Sequence, residues 1–304
     1  MINYKKVISS RNMRVKIMQI LSFLPDVTVV KIQYYIKTGR ILNLKNPQRY
    51  TEKLQWYKLF YRNDLMAKCV DKYEVRDYVK SKGLESILVP IIGIYDSVDD
   101  ICFEELPESF VIKDTLGGGG NSVIIIKNKS NANWQLIKEN MSKWLYTGKT
   151  KHPGREWVYD GRKSKILIEQ YIDSNPEEGG LIDYKFFFFN GDLACVYGIA
   201  DRVLGKEAGF GIFDKEFNIL PYTRTDEKPL MRELKKPSNY SEMVSIAKHL
   251  AEDFPHARID LYNQNGVIRF GEITFFDGSG YMIYDPDEYD FILGEKFKLP
   301  KRNH

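Results

Sequence analysis

Apolar positions near the start of the chain recur at helical intervals: Ile17, Ile20, Leu21 and Leu24, then Val30, Ile32 and Ile36, then Leu54, Tyr57 and Leu59. Steps of three and four residues place such positions on one face of a helix. Residues 15–60 are therefore expected to be helical. A further helix is expected over 63–82, closed by Gly83, because glycine accepts the left-handed conformation that ends helices. The period then changes. Residues 87–94, 110–113 and 122–126 read as strands, with four consecutive glycines between the last two. Residues 131–146 carry Trp134, Ile137, Met141 and Trp144 at helical steps, and 165–171 is again strand-like. Further on, two apolar runs, 183–189 and 193–199, flank Asn190 and Gly191, a pair suited to a two-residue hairpin turn. The four phenylalanines at 186–189 predict a strand buried on both faces. Met243, Ile246, Ala247 and Leu250 form a helical stripe ahead of two more strands, 257–262 and 267–275; from Tyr284 onward the chain is polar and punctuated by prolines.

Composition narrows the field. With 304 residues, 43% of them apolar and 28% charged, the chain can bury a large core. Its longest uncharged stretch, 115–126, is twelve residues and glycine-rich, short of the roughly 18 apolar residues a spanning helix needs. Lys16, Gln19 and Asp26 interrupt the first apolar run and no small-residue cleavage site follows, so no secretory leader is expected. Cys69, Cys102 and Cys195 lie far apart, and the four histidines are scattered. Neither a disulfide framework nor a cysteine or histidine metal cage is expected, which fits a cytoplasmic setting. The net charge of +4 is dispersed, which argues against nucleic acid and leaves anionic small molecules or a membrane surface open. The basic N-terminal region reads first as packed helix, with peripheral contact at the inner face of the membrane as the alternative.

Three groups of residues could carry chemistry. Lys113 ends a strand just before Gly117, Gly118, Gly119 and Gly120, so a cation stands beside a loop whose bare backbone N–H groups suit an anion. The lysine precedes the glycines, unlike a P-loop; a plain hairpin tip is the blander reading. Arg258 and Asp260 alternate on one strand, Glu272 and Thr274 on the next. A regular two-residue turn at Asn265 and Gly266 would set Asp260 and Glu272 on opposite faces. A three-residue turn would place Glu272 opposite Arg258, and only then is a shared cation expected. Two carboxylates and a hydroxyl suit Mg²⁺ completed by phosphates; a cross-strand ion pair is the alternative. Glu169, at the polar end of an apolar strand, could meet a hydroxyl or amino group. Lys185 and Arg202, beside Asp183 and Asp201, could direct cations to the same cleft or merely form surface ion pairs. His152 reads as an ordinary surface histidine.

Taken in order, Asp71 and Lys72, the Phe110 to Lys113 strand, the glycine run, Ile168 to Tyr171, Arg258 to Asp260 and Glu272 to Thr274 resemble the ATP-grasp superfamily. Thr51 to Trp56, Asp71 to Val79, Leu106 to Lys113 and Phe270 to Phe275 look like its TupA-like family, of bacterial surface-polysaccharide and teichuronopeptide gene clusters, with the likeness covering about 46–300. The resemblance implies an α+β ATP-grasp fold: a helical region (1–62), an N-terminal lobe (63–109), a small lobe with the glycine loop (110–172), and a C-terminal lobe with the metal site (173–304). It implies ATP and Mg²⁺ as cofactors. Lys72 and Lys113 would contact the phosphates, Gly117, Gly118, Gly119, Gly120 and Asn121 would form a mobile cover, Glu169, Gln170, Tyr171 and Ile172 would hold adenine and ribose, and Lys185 would also belong to the nucleotide site. Asp260, Glu272 and Thr274 would ligate the metal, with Arg258, Lys113 and Arg202 catalytic. Thr274 stands where the superfamily commonly has asparagine. The implied activity is a carboxylate-amine ligase working through an acyl phosphate, joining an amino acid or amine to an anionic, uronic-acid-containing sugar or glycan of capsule, O-antigen or cell-wall polymer. A sugar-hydroxyl phosphotransferase and a non-catalytic nucleotide-binding partner of a glycosyltransferase complex remain the alternatives.

Overall fold

A computed structural model describes residues 23–118, 122–145, 151–174, 178–203 and 207–304. The expected helix over 15–22, together with Gly119, Gly120 and Asn121, lies outside those residues. Two helices occupy the described part of the N-terminal region: α1 (Asp26–Thr38), ended by Gly39 at φ 73°, and α2 (Tyr50–Phe60). The Glu52 carboxylate accepts from the backbone N–H groups of Gln48 and Arg49, at 2.9 and 3.2 Å, and so satisfies donors left bare at the start of α2. The single helix expected over 63–82 is instead two, α3 (Asp64–Cys69) and α4 (Val75–Ser81). Asp71 is the cause. Its Oδ1 accepts from the N–H groups of Tyr73 and Glu74, at 2.8 and 3.0 Å, and a local turn of this kind competes with helix continuation. Lys72 is thereby placed on a turn.

Strands β1 (Ile91–Tyr95), β2 (Phe110–Asp114), β3 (Val123–Ile126) and β4 (Ile166–Gln170) form an antiparallel sheet in the order β1-β4-β2-β3. The strand expected from residue 87 starts later, because Glu85–Ile87 makes a short 3₁₀ turn and Pro90 follows it. Helix α5 (Trp134–Trp144) lays Ile137 and Met141 against Phe110, Ile112, Ile166 and Ile168. Alternation leaves Val111, Lys113, Leu167 and Glu169 on the opposite face, with Lys113 paired to Leu167 and Val111 to Glu169.

The larger sheet comprises β5 (Asp183–Phe189), β6 (Asp192–Val203), β7 (Glu207–Phe213), β9 (Lys228–Pro229), β10 (His256–Gln264) and β11 (Val267–Thr274), ordered β11-β10-β5-β6-β7-β9; β8 (Thr223–Arg224) pairs apart with β12 (Tyr284–Asp285). Asn190 and Gly191 make the expected two-residue turn, with φ of 52° and 90°. All four phenylalanines are buried. Phe186 meets Tyr240 of helix α6 (Tyr240–Ala251), while Phe187 and Phe189, on the other face, pack against Tyr50 of α2. That second face changes character along β5: Phe189 and Phe187 give way to Lys185 and Asp183. On neighbouring β10, His256 lies among the rings of Tyr50, Phe189 and Phe297, and Arg258 and Asp260 follow it. One half of the surface is thus sealed by aromatic packing and the other half is charged. The polar, proline-punctuated stretch from Tyr284 onward contains helix α7 (Glu288–Lys296), because Tyr289 and Leu293, four residues apart, bury one stripe of it. Among the described residues no helix is long and apolar enough to cross a membrane.

Candidate active site

The floor of the site is the β10–β11 hairpin, and its register decides everything placed on it. Gln264 pairs with Val267 across a two-residue turn in which Asn265 and Gly266 have φ of 52° and 83°. A regular ladder from that turn would put Asp260 opposite Gly271 and turn Glu272 to the far face. Instead Leu261 pairs with Phe270 and Asp260 with Glu272, so Gly271 is an extra residue, a bulge. Only glycine suits the position, since a Cβ there would stand 2.9 Å from the Asp260 carbonyl oxygen. Of the two hairpins weighed from the sequence, the two-residue turn with Gln264 opposite Val267 is the one formed, but its consequence fails: the bulge brings Asp260 and Glu272 side by side and pairs Arg258 with Thr274.

Arg258 organises these side chains. Its Nε and one terminal nitrogen donate to the two oxygens of Asp260 at 2.7 Å, and that nitrogen also reaches Glu272 Oε1 at 2.7 Å. Its other terminal nitrogen donates to Asp277, which also receives Arg224 at 3.4 Å. Lys185 donates to Asp260 and stands 2.8 Å from Asp183, and Arg202 reaches Asp183 at 3.0 Å. The Thr274 hydroxyl donates to Glu272 Oε1 at 3.0 Å. Burial alone would raise the Glu272 carboxyl, but Arg258, then Lys185 and Lys72, outweigh it and hold the group well below the usual carboxylate range. For Asp260 burial prevails over Arg258 and Lys185, with help from Asp183 and Glu272, and its carboxyl is raised. Asp277 is held low because Arg258 and Arg224 exceed its burial cost.

From the other sheet, Lys113 reaches across to Glu169, whose second oxygen takes Arg76 at 3.3 Å. Lys72 donates to the Gly117 carbonyl, and its own N–H meets the Thr115 carbonyl at 2.9 Å. Gly117 has no room for a side chain, since a Cβ would fall 2.3 Å from that of Ser122. Glu169 and its successors part company: Glu169 turns to Lys113, while Gln170, Tyr171 and Ile172 line a crevice of about 340 Å³ with Val89, Pro90 and Arg269. The structure therefore gathers Arg258, Asp260, Glu272, Thr274, Lys185 and Arg202 into one cluster, with Lys72 close enough to influence Glu272 from the facing side. Lys113 and Glu169 form a separate pair, and the crevice residues a third group. His152 is half-buried in a loop.

Sequence reasoning missed Arg76, Arg224 and Asp277. Asp277 had a signal: it follows the Glu272 strand directly and precedes Gly278, Ser279 and Gly280, a turn-prone run. In the structure Asp277–Gly280 folds as a short turn, and Gln55 and Lys58 of α2 donate to the Ser279 carbonyl at 2.9 and 3.0 Å. Arg76 stands one helical turn beyond Lys72 and had no distinguishing pattern.

The donor set suits a hard cation. Among the described residues no three acidic, histidine or cysteine side chains gather as a metal cage, but magnesium held with a nucleotide takes only one or two carboxylates and completes its shell with phosphates and water. Both Arg258 and Thr274 engage Oε1 of Glu272, so Oε2 is the oxygen left over. Among the described residues Asp183 Oδ1 is buried with no hydrogen-bond partner, a polar atom that a cation or its bound water would satisfy.

The family model for TupA-like ATPgrasp matches residues 52–298. No curated protein matches the sequence. Among solved structures, D-alanine-D-alanine ligase from Helicobacter pylori is 15% identical over 77% of this chain, with a TM-score of 0.40; the chain spans 60% of that protein's length. The corresponding ligase from Bacillus anthracis is 20% identical over 75% of this chain and 67% of its own, with a TM-score of 0.43. N5-carboxyaminoimidazole synthetase from Staphylococcus aureus, complexed with ADP, is 13% identical over 77% of this chain and 53% of its own, at 0.40.

Proposed function

Because the chain belongs to the TupA-like ATP-grasp family, we propose that it is an ATP- and Mg²⁺-dependent carboxylate-amine ligase. Its product is an amide between an amino acid or amine and a uronic-acid-containing precursor of a surface polysaccharide. The observation that carries this reading is the side-by-side placement of Asp260 and Glu272 with Arg258 bridging them. Asp260, Glu272 and Thr274 hold the metal, which when bound neutralises charge on the phosphates. Lys72, Lys113, Lys185 and the loop from Gly117 to Asn121 serve the phosphates, and Glu169 to Ile172 the adenosine. Arg258 and Arg202 face the substrate carboxylate and the acyl phosphate formed from it.

The chemistry follows from charge. A carboxylate and a triphosphate repel one another, so the first step needs cations at the meeting point. It needs no base, because the attacking oxygen is already ionised at neutral pH. That matters here: arginine and lysine hold Glu272 and Asp277 below the usual carboxylate range, which makes these two poor bases for taking a proton from a sugar hydroxyl, as a phosphotransferase requires. A neutral amine then attacks the acyl carbon: the C–N bond forms, the C–O bond to phosphate breaks, and the amine's proton leaves with the departing phosphate or to water.

The test is mass spectrometry of products after supplying Mg·ATP, uronic-acid glycans and a pool of amines. The ligase releases ADP and free phosphate with an acceptor heavier by the amine less water. Phosphate retained on the acceptor would assign a kinase, and tight ATP binding without ADP formation a scaffold.

A further inference from the structure

One side of α1 is packed and the other is bare. Val30, Tyr34 and Thr38 are buried, and Tyr34 meets Thr51 at 2.9 Å and the Tyr281 ring at 6.5 Å. Away from that seam Ile32, Tyr35 and Ile36 are 38, 60 and 46% exposed; Phe23 and Leu24 before the helix and Ile41 after it are 91, 38 and 86% exposed. Steps of three and four residues put Ile32, Tyr35 and Ile36 on one side of the helix. Single exposed apolar side chains are ordinary, but a concentration on one short stretch marks a contact surface.

The charge of the same region is lopsided. Residues 1–45 contain nine lysines and arginines and one acid, Asp26, whereas the rest of the chain contains 36 basic and 40 acidic residues. Asp26 is itself paired with Lys151 at 3.0 Å, and Arg40 is paired with Asp287, so neither adds to the free charge. Lys31 and Lys45 are exposed within and just beyond the apolar stretch. The mild net charge of the whole protein thus hides a strongly positive first seventh and an acidic remainder.

We propose that this face binds an anionic phospholipid surface, with the isoleucines, Tyr35 and Phe23 at the acyl boundary and the basic side chains among the headgroups. The alternatives fit less well. Nucleic acid would use the charge but leave Leu24, Ile32, Ile36 and Ile41 without partners. A second copy of the chain would press one positive region on another. Residues 1–22, folded back as a cover, would set five of those nine basic residues, and no acid, against Lys31 and Lys45. The proposal does not depend on the ligase reading, since it concerns the opposite side of α1 from the one that holds Tyr281.

Flotation of the full-length protein with vesicles of phosphatidylcholine, alone or with phosphatidylglycerol added, tests it. The expected result is at least about tenfold more protein bound when the anionic lipid is present, reversed near 0.5 M salt, where the Debye length falls to about 4 Å. Ile32→Glu with Ile36→Glu should cut binding about tenfold and leave the melting temperature unchanged, and Lys31→Glu with Lys45→Glu should weaken it several-fold. Equal binding to both vesicle types, or none, overturns the proposal. So does a double glutamate variant that melts several degrees lower, which would mean the protein's own chain covers the face. A wild-type dimer that this variant splits would assign the face to a second copy, and RNA binding without vesicle binding would assign it to nucleic acid.

Discussion

Two clusters of arginine and aspartate differ in how completely their oxygens are used. At the junction of α2 and α7, Asp290 accepts from the Thr51 N–H at 2.9 Å and its hydroxyl at 2.8 Å, with Arg40 and Arg49 each at 3.5 Å. Asp287 beside it takes Arg49 through both oxygens, at 2.7 and 2.8 Å. Every acceptor there has a donor from the chain. The cluster on β5, β10 and β11 is as rich in charge, yet among the described residues Asp183 Oδ1 has no partner and Glu272 is bonded through one oxygen alone. A saturated cluster is a clasp; one with lone pairs to spare is arranged for something the chain does not itself contain.

The contrast can be broken by experiment. The largest effect should come from Glu272→Gln, which removes a metal-facing charge: Mg·ATP turnover should fall at least about a thousandfold while the protein stays folded, with a urea midpoint lowered only by the loss of the ionised group's contact with Arg258. Unchanged turnover would reject the metal assignment. Asp290→Ala should do the reverse. It removes the acceptor of the buried Thr51 N–H and hydroxyl and leaves Arg40 and Arg49 with Asp287 alone, and stability should drop by roughly 1–3 kcal/mol, measured by urea unfolding, with ATP affinity of the remaining folded protein intact. Loss of ATP binding at full stability would merge the two clusters into one functional unit.

A third effect sharpens the boundary between them. His256 sits where the aromatic half of the floor meets Arg258, and burial pushes its imidazole down to about 4. The unfolded chain takes up a proton near pH 6.5 and the folded one only near 4, so the unfolded state binds more protons in between. Stability is therefore complete above about pH 6.5, falls by roughly 3 kcal/mol as the pH drops to 4, and loses nothing further from this group below that. His256→Phe should flatten that slope in urea unfolding measured across the window; an unaltered slope would place the acid sensitivity elsewhere.

Much of this was legible in the sequence, and the limits have physical causes. Alternation put Arg258 with Asp260 and Glu272 with Thr274, and the Asn190–Gly191 turn and the buried phenylalanines followed from residue types whose preferences are local. The pairing of Asp260 with Glu272 was not legible, because a ladder counted from the turn assumes no bulge; Gly271, a glycine inside a strand, was the available clue. The break at Asp71 was likewise written in one aspartate ahead of two backbone donors, but helical spacing on either side of it concealed the interruption. Helix α7 escaped because its buried stripe is only two residues wide in a polar stretch. Arg76 and Arg224 depend on contacts between segments far apart in the chain, which no local pattern records.

The turn Asp277–Gly280 has a consequence for how the protein can be cut. Its Ser279 carbonyl is gripped by Gln55 and Lys58, more than two hundred positions earlier, while Asp277 braces Arg258. The early helix therefore acts as a remote scaffold for the guanidinium at the centre of the floor. Trimming the polypeptide to the strands and glycines that carry recognisable motifs would keep each reactive side chain yet release the hand that steadies one of them.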